Sequence, residues 1–502
     1  MQLPSFPDRP EAPCGCSEAF RPHYHFTPRR NWMNDPNGLV FFEGEYHLFF
    51  QHNPQDTVWG NMSWGHAVSP DLLHWRELPV AIPSTDTMIF SGSAIVDWCN
   101  VSGLGDGVAP PLLAYYTAFD ADRDIQCQHL AVSRDRGRSF SHYAGNPMID
   151  LGAADFRDPK VFYHAPSAAW VMVAVRARVH RVLFYRSTNL LDWTPAGEFG
   201  GWGSPAGQWE CPDLICLRME GETDRAHWVL KVDVDKGLVD GGSGAHYFVG
   251  DFDGFRFVPD PVQGEAAGLL ADFGPDFYAA ASWSDLPTTQ SAPVWIAWQS
   301  NQQTGGNYPT ERWRGAMSLP RILFLFAEDG LLRLGQQPLA ALADYRGNGI
   351  EGMSRRLDSG DETELMVPVD RFVQQIAIGH RDEGRFDVMV MDGDVGLATL
   401  TVDFRQRSLT FQRHAAEIMP DEKFACRTQT SLPRHDAIEL ELFFDGSLLE
   451  IFADGGRRVW SACVFPAGQV RVAIRALSGS IQVDRLMGWP LAATVSCAAD
   501  QA

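Results

Sequence analysis

No run in this 502-residue chain approaches the roughly 20 consecutive apolar residues of a membrane-crossing helix. The N-terminus lacks the basic-then-apolar pattern of a secretory leader, and long helical periodicity is missing as well. Cysteine is sparse and odd in number, nine residues scattered singly apart from Cys14-Gly15-Cys16 and Cys211 with Cys216. That usage suits reduced thiols and argues against a disulfide-built fold. Cations are short too: 63 acids against 41 bases give a formal charge of −22, which repels phosphate backbones and anionic membranes. A cytoplasmic protein is expected, with no nucleic-acid or membrane partner and with a neutral small molecule as its ligand.

What the chain does contain is globular. It is 45% hydrophobic and rich in Trp and Phe, with 46 Gly and 32 Pro spread along its length. Short β-branched or aromatic runs closed by turn residues read as strands: Leu39 to Phe42, Tyr46 to Phe50, Ala94 to Val96, Trp170 to Val175, Trp228 to Val232 and Val294 to Ala297. The class is all-β, and its sheets need closure or stacking to protect their edges.

A weak repeat runs through the first two thirds. A strand ends in Ser or Gly, a turn with Asp or Asn follows, and an aromatic closes the hairpin: Ser69-Pro70-Asp71 to Trp75, Ser133-Arg134-Asp135 to Phe140, Ser187-Thr188-Asn189 to Trp193, and Gly250 with Asp253 to Phe257. Between the copies fall polar strand starts, Asp35, Ser91, Asp158, Glu210 and Tyr278, at intervals suited to large propeller blades. Five starts imply a five-bladed β-propeller over residues 1–335, whose channel gathers these positions at one end. A connector follows over 336–351. Residues 352–502 then read as a β-sandwich, with strands at Phe386 to Met391, Ala398 to Phe404, Ile438 to Phe444 and Leu448 to Phe452 and a hairpin turn at Asp445-Gly446.

Three acids sit in short motifs that open apolar runs: Trp32-Met33-Asn34-Asp35-Pro36-Asn37-Gly38, Phe156-Arg157-Asp158-Pro159 and Trp209-Glu210-Cys211-Pro212-Asp213. A carboxylate among Trp, Pro and an apolar strand loses water, so its charge needs partners or chemistry to justify it. Converging carboxylates in an acidic, aromatic-rich protein suit glycoside hydrolysis, which needs a proton donor and a nucleophile or base. Trp32, Trp59, Trp64, Trp209 and Trp298 offer flat faces for sugar rings or, equally, core packing. Asn34, Asn37, Gln51 and Arg157 offer groups for hydroxyls. Cys14, Cys16, His23 and His25 have a Cys spacing tighter than zinc pairs use, and His47, His52, His66 and His74 lack ligand spacing. No metal or cofactor is expected.

These motifs resemble the β-fructosidases of glycoside hydrolase family 32, which includes invertases, exo-inulinases and levanases. The resemblance rests on His25-Phe26-Thr27-Pro28, the Trp32 to Gly38 block, Phe50-Gln51-His52-Asn53-Pro54, Trp59 to Ala67, Phe90 to Ala94, Phe156 to Lys160, Glu210 to Leu214, Asp276 to Ala279 and Gly315 to Arg321. It implies the same propeller-then-sandwich fold, with Asp35 as the nucleophile, Glu210 as the general acid/base and Asp158 as the acid that steadies the transition state. Asn34, Gln51, Trp59, Phe90, Ser91, Arg157, Tyr278 and Trp298 match positions around a terminal fructose, and Arg157 is expected to help keep Asp158 charged. The implied activity is retaining release of terminal β-D-fructofuranosyl units from sucrose and short fructo-oligosaccharides, with inulin or levan also open. Fructosyl transfer through the same intermediate and silent fructan binding stand as alternatives. A retaining mechanism would place the Asp35 and Glu210 carboxyls roughly 5 Å apart.

Overall fold

The computed structural model describes residues 18–222, 225–261, 268–290, 292–380, 383–419, 421–432 and 437–494. Among them the regular structure is β-strand, with only short 3₁₀ turns between strands. No helix is long and apolar enough to cross a membrane.

Five antiparallel sheets of four or five strands make up the propeller. Their inner strands are Asn31–Phe42, Met88–Val96, Phe156–His164, Trp209–Arg218 and Tyr278–Ser282. Each inner strand packs against the next, and the fifth packs against the first. The ring is latched where Trp313–Arg314 pairs in parallel with Asn31 and Trp32. Alternating burial is lost on these strands because both faces meet neighbouring blades: all but two residues of Asn31–Phe42 are buried.

The Ser/Asp repeat is the turn between the third and fourth strands of a blade. Ser69 Oγ donates to Asp71 Oδ1 at 3.1 Å, Ser133 Oγ to Asp135 Oδ1 at 2.7 Å and Ser187 Oγ to Asn189 Oδ1 at 3.1 Å. In the fourth copy Gly250 has no hydroxyl, and Asp253 instead accepts the backbone N–H groups of Phe255 and Arg256 at 2.8 Å each. Side chains that cap their own turn in this way fix the hairpin locally.

The last strand of blade V, Leu331–Pro338, pairs Gln336, Gln337 and Pro338 with the strand before it. The connector expected to begin at residue 336 therefore begins after Pro338, because these residues still have a sheet partner. At its other end, Ile350–Glu351 already pairs with the long sandwich strand Ser480–Pro490. The sandwich stacks a seven-stranded sheet on a six-stranded one around a large apolar cluster.

Between the domains lies an apolar cluster that mixes Tyr24, Phe26 and Leu339 with Val373, Phe443, Phe452 and Val459 of the sandwich. Buried ion pairs thread it. His25 sits between Asp445 and Glu450, 2.9 Å from each, and Arg321 bridges Asp272 and Glu450. Asp445 is more than a hairpin residue: its carboxylate also accepts the backbone N–H groups of His23, Tyr24 and His25. Gly446, at φ 62°, takes the left-handed turn that aims Asp445 inward.

Candidate active site

The inner strands carry a shared irregularity. On each, two residues oppose one on the neighbouring strand: Asn34-Asp35, Phe90-Ser91, Asp158-Pro159, Cys211-Pro212 and Ala279-Ala280. Such bulges bend a strand and re-aim its side chains. The bulge opens with a left-handed residue at Asp158, Cys211 and Ala279, with φ of 62°, 48° and 55°. The even sequence spacing suggested that the five polar starts share one position, but the pairing separates them. Glu210 and Tyr278 precede their bulges, Asp158 opens its bulge, and Asp35 and Ser91 close theirs.

The bulges bring the three acids together. Asp35 is 9% exposed; its Oδ2 accepts from Ser91 Oγ at 2.9 Å and faces Cys211 Sγ at 3.7 Å, while its buried Oδ1 has no hydrogen-bond partner. Asp158 Oδ2 accepts from the Cys211 backbone N–H at 2.8 Å, and Thr117 Oγ1 holds the Asp158 N–H at 2.9 Å. Arg157 donates to Glu210 Oε1 at 2.8 Å, and the Tyr278 hydroxyl donates to Oε2. The Glu210 side chain is 20% exposed against 6% for Asp158, so Glu210 is the acid nearer to solvent.

Electrostatics follow from this crowding. Burial pushes Asp35 above the usual carboxylate range; the neighbouring Asn34 amide and the hydrogen bond from Ser91 counter it, and the charge of Glu210 adds to it. Burial drives Asp158 up to about 7, reinforced by Glu210 and Asp35 and opposed by Arg157 and the Cys211 N–H. Arg157 helps keep Asp158 charged, as expected, but through its charge alone. Its guanidinium reaches across to Glu210, Gln208 and Gln126, and its Nε stays 3.9 Å from Asp158 without a hydrogen bond. Burial likewise raises the Cys211 thiol and the Tyr278 hydroxyl.

Aromatic residues form the surround. Trp32, Tyr278 and Trp298 share a small buried cluster, with the Trp32 and Trp298 rings 5.9 Å apart. Trp32 Nε1 donates to Asn34 Oδ1 at 2.7 Å, which aims that amide. Gln51 donates to Asn37 Oδ1 at 2.7 Å and to the Ile89 carbonyl at 3.0 Å. At the rim, Trp59 is 52% exposed and meets Phe90 edge-on at 6.0 Å. Trp64 and Trp209 are completely buried and spend their N–H groups on the Phe90 and Ser204 carbonyls, so they are core rather than platforms. Beneath the acids the channel narrows to a cavity of about 30 Å³ lined by Pro36, Ser93, Lys160 and Asp213, room for roughly one water.

The histidines are structural. His47 and His66 stack and share a 3.0 Å hydrogen bond, with burial lowering His47 to about 4. His52 meets the Trp32 carbonyl at 2.7 Å, and His74 pairs with Asp71. No group of three or more metal-ligating side chains occurs among the described residues, and Cys14 and Cys16 lie outside them. Sequence reasoning missed Gln126 and Gln208, which cradle Arg157, and Thr117 under Asp158. Gln208 adjoins the Trp209-Glu210 motif and could have been noticed; Gln126 and Thr117 carry no local signal.

Comparison with known proteins converges on one family. The N-terminal domain of glycosyl hydrolases family 32 matches residues 25–338 and the C-terminal domain of that family matches residues 358–490. A levanase of Bacillus subtilis (strain 168) is 40% identical over 492 residues, covering 94% of this chain and 71% of the levanase. The crystal structure of an exo-inulinase from Aspergillus awamori superposes with a TM-score of 0.88 at 34% identity, over 96% of this chain and all of that one. A β-fructofuranosidase from Schwanniomyces occidentalis complexed with fructosyl-erythritol gives a TM-score of 0.86 at 30% identity, over 95% of this chain and 98% of that one. A bulged, three-acid propeller mouth and a matching partner domain agree with these likenesses, and the chain belongs to family 32 of the glycosyl hydrolases.

Proposed function

We propose that this site removes terminal β-D-fructofuranosyl units from fructans and from sucrose, with retention of configuration and through a fructosyl intermediate on Asp35. The observation that carries the proposal is the buried, unpartnered Oδ1 of Asp35 beside an Oδ2 held by Ser91. One oxygen is fixed and the other is free to attack. A buried polar atom without a partner costs about 1–3 kcal/mol, and a developing bond to an anomeric carbon relieves that cost.

In the first step Asp35 Oδ1 bonds to C2 of the fructosyl unit as the C2–O bond to the leaving group breaks, and Glu210 gives its proton to the departing oxygen. In the second, Glu210 takes a proton from water, whose oxygen bonds to C2 as the ester to Asp35 breaks. The solvent-side position of Glu210 supports its serving both steps. Asp158, held from below by Cys211, is placed to accept ring hydroxyls. Trp59 supplies an exposed apolar face at the rim, and Trp32, Trp298, Asn34, Gln51, Phe90 and Arg157 surround the ring.

Relatives named levanase and exo-inulinase weigh toward fructan chain ends as substrates. A reducing, cytoplasmic setting is proposed on the free thiols of Cys99, Cys127, Cys211, Cys216, Cys426 and Cys463; it would favour sucrose and short oligosaccharides instead. Incubation with levan, inulin, sucrose and sucrose phosphate, scored by released fructose, tests the substrate class. NMR of the first-formed anomer tests retention. Asp35→Asn should retain the fold and lose turnover; near-normal activity of that variant would refute the nucleophile assignment.

A further inference from the structure

Only four of the 41 basic residues are lysines: Lys160, Lys231, Lys236 and Lys423. Two of them, Lys160 and Lys231, are buried in the propeller directly behind the acids, and Lys231 is fully enclosed. An ammonium is a compact charge with three donors, whereas a guanidinium needs acceptors for five. The space around Lys231 offers few. Its Nζ donates to the Cys211 carbonyl at 2.6 Å and pairs with the equally enclosed Asp233. No sugar can reach an amine so enclosed, so covalent chemistry at Lys231 is ruled out and its effect must pass through what it holds.

What it holds is the framework of the proton-transfer groups. Cys211 has left-handed backbone, a conformation that costs a non-glycine residue about 1 kcal/mol or more. It follows Glu210 directly, donates its N–H to Asp158 and turns its sulfur to Asp35. Asp233 faces Glu210 across the strand pair; its Oδ2 takes Lys231, its Oδ1 makes no hydrogen bond, and the nearby Ala279 N–H favours its charge. Ala279 is the left-handed residue next to Tyr278, whose hydroxyl donates to Glu210. One buried pair thus secures the bulge beside the acid from behind and sets its charge behind the bulge beside Tyr278. The second pair, Lys160 with Asp213, secures Ser282 instead, at the far end of the blade V inner strand.

We infer that Lys231 and Asp233 are positioning residues for proton donation: by clamping the Cys211 bulge they keep the adjoining Glu210 aligned with the departing oxygen. The inference rests on the proposed role of Glu210 as general acid. Removing Lys231 alone would strand a buried carboxylate, so the informative variant is Lys231→Met with Asp233→Asn, which removes both charges together.

The test compares sucrose with p-nitrophenyl β-D-fructofuranoside, whose nitrophenolate leaves without a proton. In the double variant kcat/KM on sucrose should fall about 100-fold, the usual consequence of a misplacement near 1 Å, while the nitrophenyl substrate loses less than about fivefold. Glu210→Gln should show the same selectivity more strongly. A merely structural role would lower both substrates alike. If the double variant does so while Glu210→Gln remains selective, or keeps sucrose activity within about threefold of the parent, the inference is overturned. If Glu210→Gln loses both substrates alike, the acid assignment falls and this inference with it. Should the double variant fail to fold, Asp233→Asn alone, in which the enclosed Lys231 can shed its proton instead of staying charged, must still lose sucrose activity selectively, by about tenfold on the same reasoning; an unchanged ratio of the two substrates overturns the inference.

Discussion

Asp158→Asn should stabilise the protein while disabling it. Burial raises the Asp158 carboxyl from 3.8 to about 7, a shift of about 3 pH units at about 1.4 kcal/mol each. The ionised side chain therefore costs the folded state on the order of 4 kcal/mol at neutral pH and above. Because the folded pKa is raised, the cost is absent below the unfolded pKa, where the group is neutral in both states, and it grows as pH climbs toward 7. Asparagine imitates the neutral form and its carbonyl can still accept the Cys211 N–H. The variant should therefore match the parent near about pH 4 and exceed it by a few kcal/mol near about pH 7.5. Urea unfolding followed by Trp fluorescence at both pH values measures the difference, and fructose release measures the expected loss of turnover. A variant less stable than the parent at the higher pH, or a difference that does not change with pH, would refute the view that the acids crowd one another at the expense of stability.

Burial alone would lower the His25 pKa, but hydrogen bonds and charges from Asp445 and Glu450 outweigh it and raise His25 to about 9. The pair should contribute about 3 kcal/mol below pH 6.5 and lose it as pH rises through 9; thermal unfolding of His25→Gln should lack that fall, and an equal slope in both proteins would count against the ionised histidine. Trp59→Ala should leave the unfolding midpoint unchanged, because the ring is half exposed, and raise KM for sucrose about tenfold by loss of roughly 1.4 kcal/mol of stacking; an unaltered KM would remove Trp59 from the binding face. A fragment ending at Pro338 exposes the Tyr24 and Phe26 side of the shared cluster and leaves His25 and Arg321 without Asp445 and Glu450. It should aggregate or unfold at lower temperature, and a soluble, fully active fragment would deny the sandwich its stabilising role.

The all-β class was legible in apolar runs too short for helices, and the propeller in the Ser/Asp turn, because a side chain that caps its own hairpin writes its signature within a few residues. Contacts set by partners far along the chain left no such mark. Asp445 reads as a hairpin residue beside Gly446, yet its four hydrogen bonds go to a segment about 420 positions away. Trp64 and Trp209 could be platforms or core on sequence alone, because Trp is amphipathic, and only the packed structure shows their N–H groups already satisfied. Arg157 adjoins Asp158 in sequence, yet its guanidinium spends its hydrogen bonds on Glu210, Gln208 and Gln126 and acts on Asp158 through charge alone.

The bulges explain why the candidate residues come in consecutive pairs. On a regular strand, neighbours point to opposite faces, so one strand start could offer a single side chain to the channel mouth. Two residues set against one break that alternation. Asn34 and Asp35, Phe90 and Ser91, Arg157 and Asp158, and Glu210 and Cys211 can then all face one site: Ser91 holds Asp35 from the next blade, and Cys211 touches both Asp35 and Asp158. Repeating the device around five blades concentrates polar groups beyond what a regular barrel mouth of the same width could hold. The consequence is like-charge crowding, and the structure offsets it with Arg157 at the rim and with buried ammonium groups behind the bulges. Chemical density at the mouth and ionic clamps behind it are two results of the same backbone irregularity.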